Sequence, residues 1–335
     1  MKISELKKQI ENYTPEQLQK LVVEMYKALP KAAREDNSIE TLVVSPDSPQ
    51  SAKPAGKNAL RSIGEIENET LQFIDYARSQ YYLASNRYVP KSERPKWRFL
   101  ARRLYKEICA ASNEKRHALK AATLLEGLYT LLCDACDKVL FTAYYPFESV
   151  GIAQAEFFRQ VLTLHESVVS KRELIEKALA LIDDNGVNRY TLYSDLMSVI
   201  LGFLRTPDLR SIAIEQANEM RRARQESQTT STDFFVKHRR TRKGNNLVEF
   251  VFRCFLALSQ TDDALDYFAM NYVEDNPEVK LYILVRLLFE YGDKENIERV
   301  ISDAEVKGIK PRADLQKLRD YISKNQALPK FIGSL

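Results

Sequence analysis

Long hydrophobic runs are missing from this sequence. Nowhere do about 18 apolar residues follow one another, the length a helix needs to cross a bilayer, so no membrane span and no membrane partner is expected. Cysteine is scarce. Cys109, Cys133, Cys136 and Cys254 are the only four in 335 residues, too few for a disulfide scaffold and in keeping with a reducing compartment. The opening MKISELKKQIENY is charged and amphipathic and lacks the apolar core of a signal peptide. The expected location is the cytoplasm.

Histidine is scarcer still, with only His117, His165 and His238, and no G-x-S-x-G, H-E-x-x-H or glycine-rich phosphate loop accompanies them. An enzyme without a recognisable motif therefore ranks third among the function classes. Ten glycines and twelve prolines are few, and the long apolar stretches carry no hairpin dipeptides, which disfavours sheet. What is present, 44% apolar and 29% charged residues, is ordinary for a globular protein of one large or two to three smaller domains. The expected fold is all-α: antiparallel helix pairs forming an α-solenoid-like body, preceded by a small N-terminal helical hairpin.

Helix signals place the elements. Residues 1–30 read as the small hairpin, helices at about 2–12 and 15–29, with Thr14 as N-cap, Pro15 at the first helical position and Gln17 completing a capping box. The segment SPDSPQSAKPAGK, with three prolines, marks residues 31–57 as a linker. Residues 58–145 read as a helical bundle, opening with one long helix from Asn58 to about Ala84. Residues 146–330 read as an array of helical hairpins, with caps at Ser170, Thr206-Pro207 and Asn276-Pro277 and an insertion over 225–245. Val248, Phe250, Phe252 and Leu256 overlay Val279, Leu281, Ile283 and Leu287 at an offset of 31 residues. One extra residue in the turn then sets Leu265 and Phe268 on Ile297 and Val300. A single hairpin cannot bury its apolar face alone, so stacking is expected.

Two resemblances follow. ISELKKQIENYTPEQLQKLVVEMYKALP is similar to the N-terminus of a family of uncharacterised bacterial helical proteins, a domain of unknown function; it implies a bacterial cytosolic protein and no activity. The hairpins of the C-terminal half resemble tetratricopeptide-type or HEAT-type repeats, without the small residues typical of the former. The segment Glu290 to Pro311 resembles one pentatricopeptide unit, and a single unit carries over no base-reading code.

Cys133-Asp134-Ala135-Cys136 is a CxxC, the spacing of redox and zinc sites. It lies inside LEGLYTLLCDACDKVLF with no strand before it and no second pair, and i, i+3 spacing puts both thiols on one helix face. The reading is two core thiols, with a metal at Cys133 and Cys136 the minor alternative, completed by Cys109 or His117. No cofactor is expected.

Basic surface is the stronger signal. Arg94, Arg98, Arg102 and Lys106 recur every fourth residue and form one stripe, flanked by Lys91, Lys96 and Arg103. The bland alternative is a solvated face neutralised by local glutamates. A second run, KHRRTRKGNN, packs Lys237, Arg239, Arg240, Arg242 and Lys243 into seven residues. It reads as the mobile end of the insertion, with no aromatic interleaved for base stacking. Residues 247–305 hold thirteen acidic against five basic side chains, so the loop also has its own chain, or a second copy, as a complementary target. The first functional reading is a non-enzymatic protein-interaction scaffold using the repeat surfaces and the basic loop. Nucleic-acid binding through 94–106 and 237–243 is the second.

Overall fold

The computed structural model describes residues 9–29, 43, 61–226 and 234–332, without the side chains of residues 184, 225, 226 and 234–240. Among the described residues there are fourteen α-helices and no strand. The chain forms two units, residues 1–60 and 61–335.

In the first unit, α1 (Pro15–Ala28) starts where its cap dictates: Thr14 Oγ1 accepts from the Gln17 amide at 3.3 Å and Gln17 Oε1 accepts from the Thr14 amide at 2.9 Å. This reciprocal pair satisfies two of the helix's orphan donors. None of its side chains is buried. The predicted first helix, apart from its last residues, and the 31–57 linker, apart from Val43, lie outside the described residues.

The second unit begins with α2 (Ile63–Arg78), α3 (Trp97–Ala111), α4 (Ala118–Asp137), the one-turn α5 (Pro146–Val150), α6 (Gln154–Glu166) and α7 (Lys171–Asp184). It continues with α8 (Tyr193–Phe203), α9 (Pro207–Glu226), α10 (Phe234–Ala257), α11 (Thr261–Asn271), α12 (Pro277–Tyr291), α13 (Lys294–Val306) and α14 (Ala313–Asn325). Helices pack on the next and the next but one: α2 on α3 and α4, α4 on α6, α6 on α7 and α8, α7 on α9, α8 and α9 on α10, α10 on α11 and α12. That connectivity lets each hairpin cover its neighbour's apolar face.

Two buried clusters result. One runs from Ile66 to Cys254 and passes residue 145 without a break; the other runs from Val248 to Ile332. They meet on α10. Leu247, Phe250, Val251 and Cys254 face the first cluster, Val248, Phe252 and Leu256 the second, and Phe255 packs against both. A helix apolar on two sides is what a buried position between layers requires.

Three expectations change. The long helix of residues 58–84 is shorter, ending at Arg78, because Gln80 turns left-handed at φ 60°. Asn86 then holds the following loop, its Nδ2 donating to the Tyr81 and Ala84 carbonyls and its Oδ1 accepting from the Tyr88 and Val89 amides.

Between α10–α11 and α12–α13 the structure gives an offset of 33 residues where the apolar overlay gives 31. The left-handed residues that turn one helix into the next are Ser259 (φ 61°) and Gly292 (φ 87°), 33 positions apart. At that offset Val248, Phe252, Ala264 and Phe268 fall on Leu281, Val285, Ile297 and Ile301, all buried in the same cluster. Ile283 and Val300 are only partly buried. The turn residue, not the best apolar overlay, sets the register, because it fixes where each helix starts.

KHRRTRKGNN is not a loop, and the 225–245 insertion is mostly helix. α9 continues to Glu226, and α10 begins at Phe234; only residues 227–233 lie outside the described residues. Asn245 is buried and latched to the chain leaving α11, its Nδ2 donating to the Val273 carbonyl at 2.8 Å and its Oδ1 accepting from the Val273 amide at 3.0 Å. With that turn anchored, helix extends backwards through Lys and Arg, which are good helix formers, since propagation costs far less than nucleation. Gly244 sits inside the helix with nothing within 4 Å of where a Cβ would stand. Gly244→Ala is therefore expected to raise stability by about 0.5–1 kcal/mol, read as a higher urea midpoint; a lower midpoint would contradict the helix at this position.

Candidate functional site

Helix α3 is oriented by its buried face. Trp97, Ala101, Leu104 and Ile108, spaced at four, three and four residues, are buried as α3 packs on α2, α4 and α5. Positions 98, 102 and 106 then turn outward, and all three side chains are exposed.

The side of α3 towards α2 is neutralised. Arg103 Nη2 lies 2.6 Å from Glu69 Oε1, while Arg61 Nη1 reaches Glu69 at 2.5 Å and Glu107 at 2.9 Å. Burial pushes the Glu69 carboxyl up, and the Arg61 and Arg103 guanidinium groups together outweigh it and hold the carboxyl below its usual range. Arg103, a predicted flank of the stripe, thus follows the bland alternative.

The other side does not. Arg98, Arg102 and Lys106 have no carboxylate partner among the described residues. Arg98 lies over the Phe99 ring, 4.8 Å from its centroid, and Arg102 lies beside Gly151, the left-handed cap of α5, where a Cβ would stand 3.6 Å from its Nη1. Arg94 is half-buried and donates from Nε to the Val89 carbonyl at 3.2 Å. The four-residue stripe is therefore a free row of three with a tethered first member.

Elsewhere arginines meet carboxylates across helices: Arg253 with Glu290, Arg286 with Glu249 at 3.0 Å, Arg299 with Asp262 at 2.7 Å, Arg312 with Glu278 at 2.5 Å and Arg319 with Glu305 at 2.6 Å. These pairs engage five of the thirteen acidic residues between 247 and 305.

The second basic segment lies on a helix that shares no main packing partner with α3. Lys237, Arg239 and Arg240 lie on the opening turns of α10, Arg242 is exposed and Lys243 half-buried. The helices α10 packs on, α8, α9, α11 and α12, include none of those that hold α3.

Cys133 and Cys136 lie on α4. Cys133 is fully buried, and its sulfur stands 3.4 Å from the Gln154 amide nitrogen; Cys136 donates weakly to the Leu132 carbonyl. Burial raises the Cys133 thiol far above its usual range and pushes Cys136 up to about 12 and Cys109 to about 11. Thiolate, the form that attacks or ligates, is thus disfavoured at neutral pH. Among the described residues no group of three or more His, Cys, Asp and Glu is placed to hold a metal ion.

His165 is buried at the end of α6 with Nε2 2.6 Å from Glu126 Oε2, and Lys177 Nζ lies 3.8 Å from the same oxygen. The His165 contact, then burial in the opposite sense, then Lys177 act on Glu126, and the net effect is a lowered carboxyl pKa. A carboxyl whose folded pKa lies below its unfolded value adds stability above the unfolded pKa, near 4.3, and loses it as pH falls through the folded one. Wild type is expected to lose more stability than Glu126→Gln between about pH 5 and pH 3. Parallel losses in the two proteins would deny the pair that role.

Compared with known proteins, the chain matches no family model, no curated protein and no solved structure.

Proposed function

We propose that this protein is a non-enzymatic interaction scaffold, bacterial and cytosolic, whose helical hairpins stack as an α-solenoid-like body. The face of α3 bearing Arg98, Arg102 and Lys106 engages an acidic surface on a partner protein. One observation carries the reading: these three cations are exposed and have no carboxylate partner among the described residues, while Arg61 and Arg103, at the α2 side of α3, are neutralised within the chain. A row of one sign with no internal counter-charge favours an external one, steering encounter more than adding affinity.

Nucleic acid is the second reading. Four residues of helix rise by about 6 Å, so the three cations form a straight row along which a phosphate chain can lie.

The test compares wild type with R98E/R102E/K106E, whose exposed positions leave the core untouched. A fluorescent polyglutamate peptide and mixed-sequence RNA and DNA are titrated at ~50 and ~200 mM salt. The scaffold reading expects the peptide to bind wild type, weaken with salt and fail on the variant. Equal peptide binding by both proteins removes α3 as the interface. Oligonucleotide binding that exceeds peptide binding and vanishes in the variant moves the assignment to nucleic acid.

A further inference from the structure

On the opposite side of α3 from the free cations, a cleft of about 250 Å³ opens between α2, the loop after it and the start of α3. Five aromatic residues line it, Phe73 and Tyr76 from α2, Tyr82 and Tyr88 from the loop and Trp97 from α3, with polar side chains that include Gln72 and Lys96. The mouth is braced. Tyr88 stacks on Tyr81 with ring centroids 4.6 Å apart and planes 11° from parallel, and Tyr76 tilts against both at 5.8 and 5.4 Å. Asn86 ties the loop that carries Tyr81, Tyr82 and Tyr88.

Two donors in these walls are unspent. Trp97 is 2% exposed and Tyr82 6%, yet among the described residues neither the indole N–H nor the phenol hydroxyl has a hydrogen-bond acceptor. Neither atom is among the buried polar atoms that lack a partner, so both donors reach solvent. Burial, with Tyr76 and Glu69 adding to it, pushes the Tyr82 hydroxyl up to about 12, so it remains a donor across the physiological range. The acidic groups at the rim are already committed: Glu69 to Arg61 and Arg103, Glu93 to Lys96 at 2.8 Å. A cationic ligand would find no free carboxylate. What remains on offer is flat ring surface plus hydrogen-bond donors, with exposed cations beside it. Arg87 donates to the Tyr88 hydroxyl at 2.9 Å, and Lys91, next to the cleft-lining Pro90, is exposed.

We propose that this cleft binds a nucleobase, carried by a free nucleotide or by an unstacked residue of a single strand. The ring lies against Tyr76 and Tyr88, and its carbonyl or ring-nitrogen acceptors take the Trp97 and Tyr82 donors. Phosphate is left towards Arg87 and Lys91. The assignment is independent of the acidic-partner reading, since it uses other residues on another side of the helix.

Trp97 is the only tryptophan in the chain, so tryptophan fluorescence reports directly on the cleft wall. The full-length protein is titrated with adenosine and uridine monophosphates, with short oligoadenylate and oligouridylate, and with inorganic phosphate as control. A saturable change with the nucleotides and none with phosphate is expected. Loss of one stacking ring in Tyr88→Ala, at an exposed position, should weaken binding roughly tenfold or more; Tyr82→Phe, which keeps the ring, should weaken it several-fold. R98E/R102E/K106E should bind mononucleotides as wild type does, which separates this site from the α3 face. Tighter binding of oligonucleotide per base identifies a strand as the source, and equal or tighter binding of monophosphate a free nucleotide; both support the cleft. No saturable change with any nucleotide, or Tyr88→Ala binding as tightly as wild type, overturns the proposal.

Discussion

Phe252→Ala is expected to destabilise the C-terminal cluster by about 3–5 kcal/mol, the usual cost of removing a buried phenyl ring, and to leave residues 66–226 nearly unaffected. Phe252 is fully buried and meets Phe268 of α11 edge-on, with centroids 5.8 Å apart and planes at 70°. It therefore joins α10 to the hairpin that follows. Two positions earlier, Phe250 is equally buried but belongs to the other cluster. Phe250→Ala should thus weaken the N-terminal body by a similar amount. Arrays in which each layer touches only its neighbours lose stability locally, and hydrogen exchange read peptide by peptide checks this. Phe252→Ala should deprotect α11 to α14 first, and Phe250→Ala should deprotect α6 to α9. Uniform deprotection by both would mean that the two clusters unfold as one unit.

Gln154→Leu should cost about 2–4 kcal/mol although it keeps the side chain's bulk and adds apolar surface. Gln154 is 1% exposed. Its Nε2 donates to the Gly186 carbonyl at 3.0 Å and its Oε1 accepts from the Asn188 amide at 2.8 Å, so one amide group satisfies both sides of the loop between α7 and α8. Leucine leaves that carbonyl and that amide buried without partners, each at about 1–3 kcal/mol. The loop has little room to adjust. A Cβ on Gly186 would stand 2.7 Å from the Cys133 carbonyl oxygen and 2.8 Å from Asp137 Cγ, so the loop backbone lies directly on the end of α4. The measurement is the urea midpoint of the variant, paired with the rate at which Cys133 reacts with a thiol reagent. Both stability and Cys133 protection should fall together. A midpoint within about 0.5 kcal/mol of wild type would show that the loop finds other partners, as surface loops do.

How much was legible follows from the distance over which each feature is decided. The cap at Thr14, the Ser170 hydroxyl accepting from the Glu173 amide, Thr206 accepting from Leu209 and Asn276 accepting from Glu278 all act within three residues. They could be read as written. The buried positions of α3 follow from spacing alone, and so does the outward turn of Arg98, Arg102 and Lys106. KHRRTRKGNN reads as a loop because of its charge density, while the contact that anchors its end, Asn245 with Val273, spans 28 positions. The aromatic cleft was invisible for a similar reason. The sequence pattern runs its first residues, up to about Ala84, into one long helix; only Gln80, turning left-handed, sends Tyr82 and Tyr88 back towards α3.

The sequence by itself determined that the chain is helical and where most helices begin and end, because helix formation and capping are settled among residues three or four apart. The tertiary structure alone decided which charges are spent. Arg103 and Arg98 are five residues apart on one helix and indistinguishable in composition, but Glu69, 34 positions before Arg103, reaches only one of them. Charge becomes available for a partner where the fold withholds an internal counter-charge. That is a property of which helices touch, fixed by how apolar faces stack over spans of 30 residues and more.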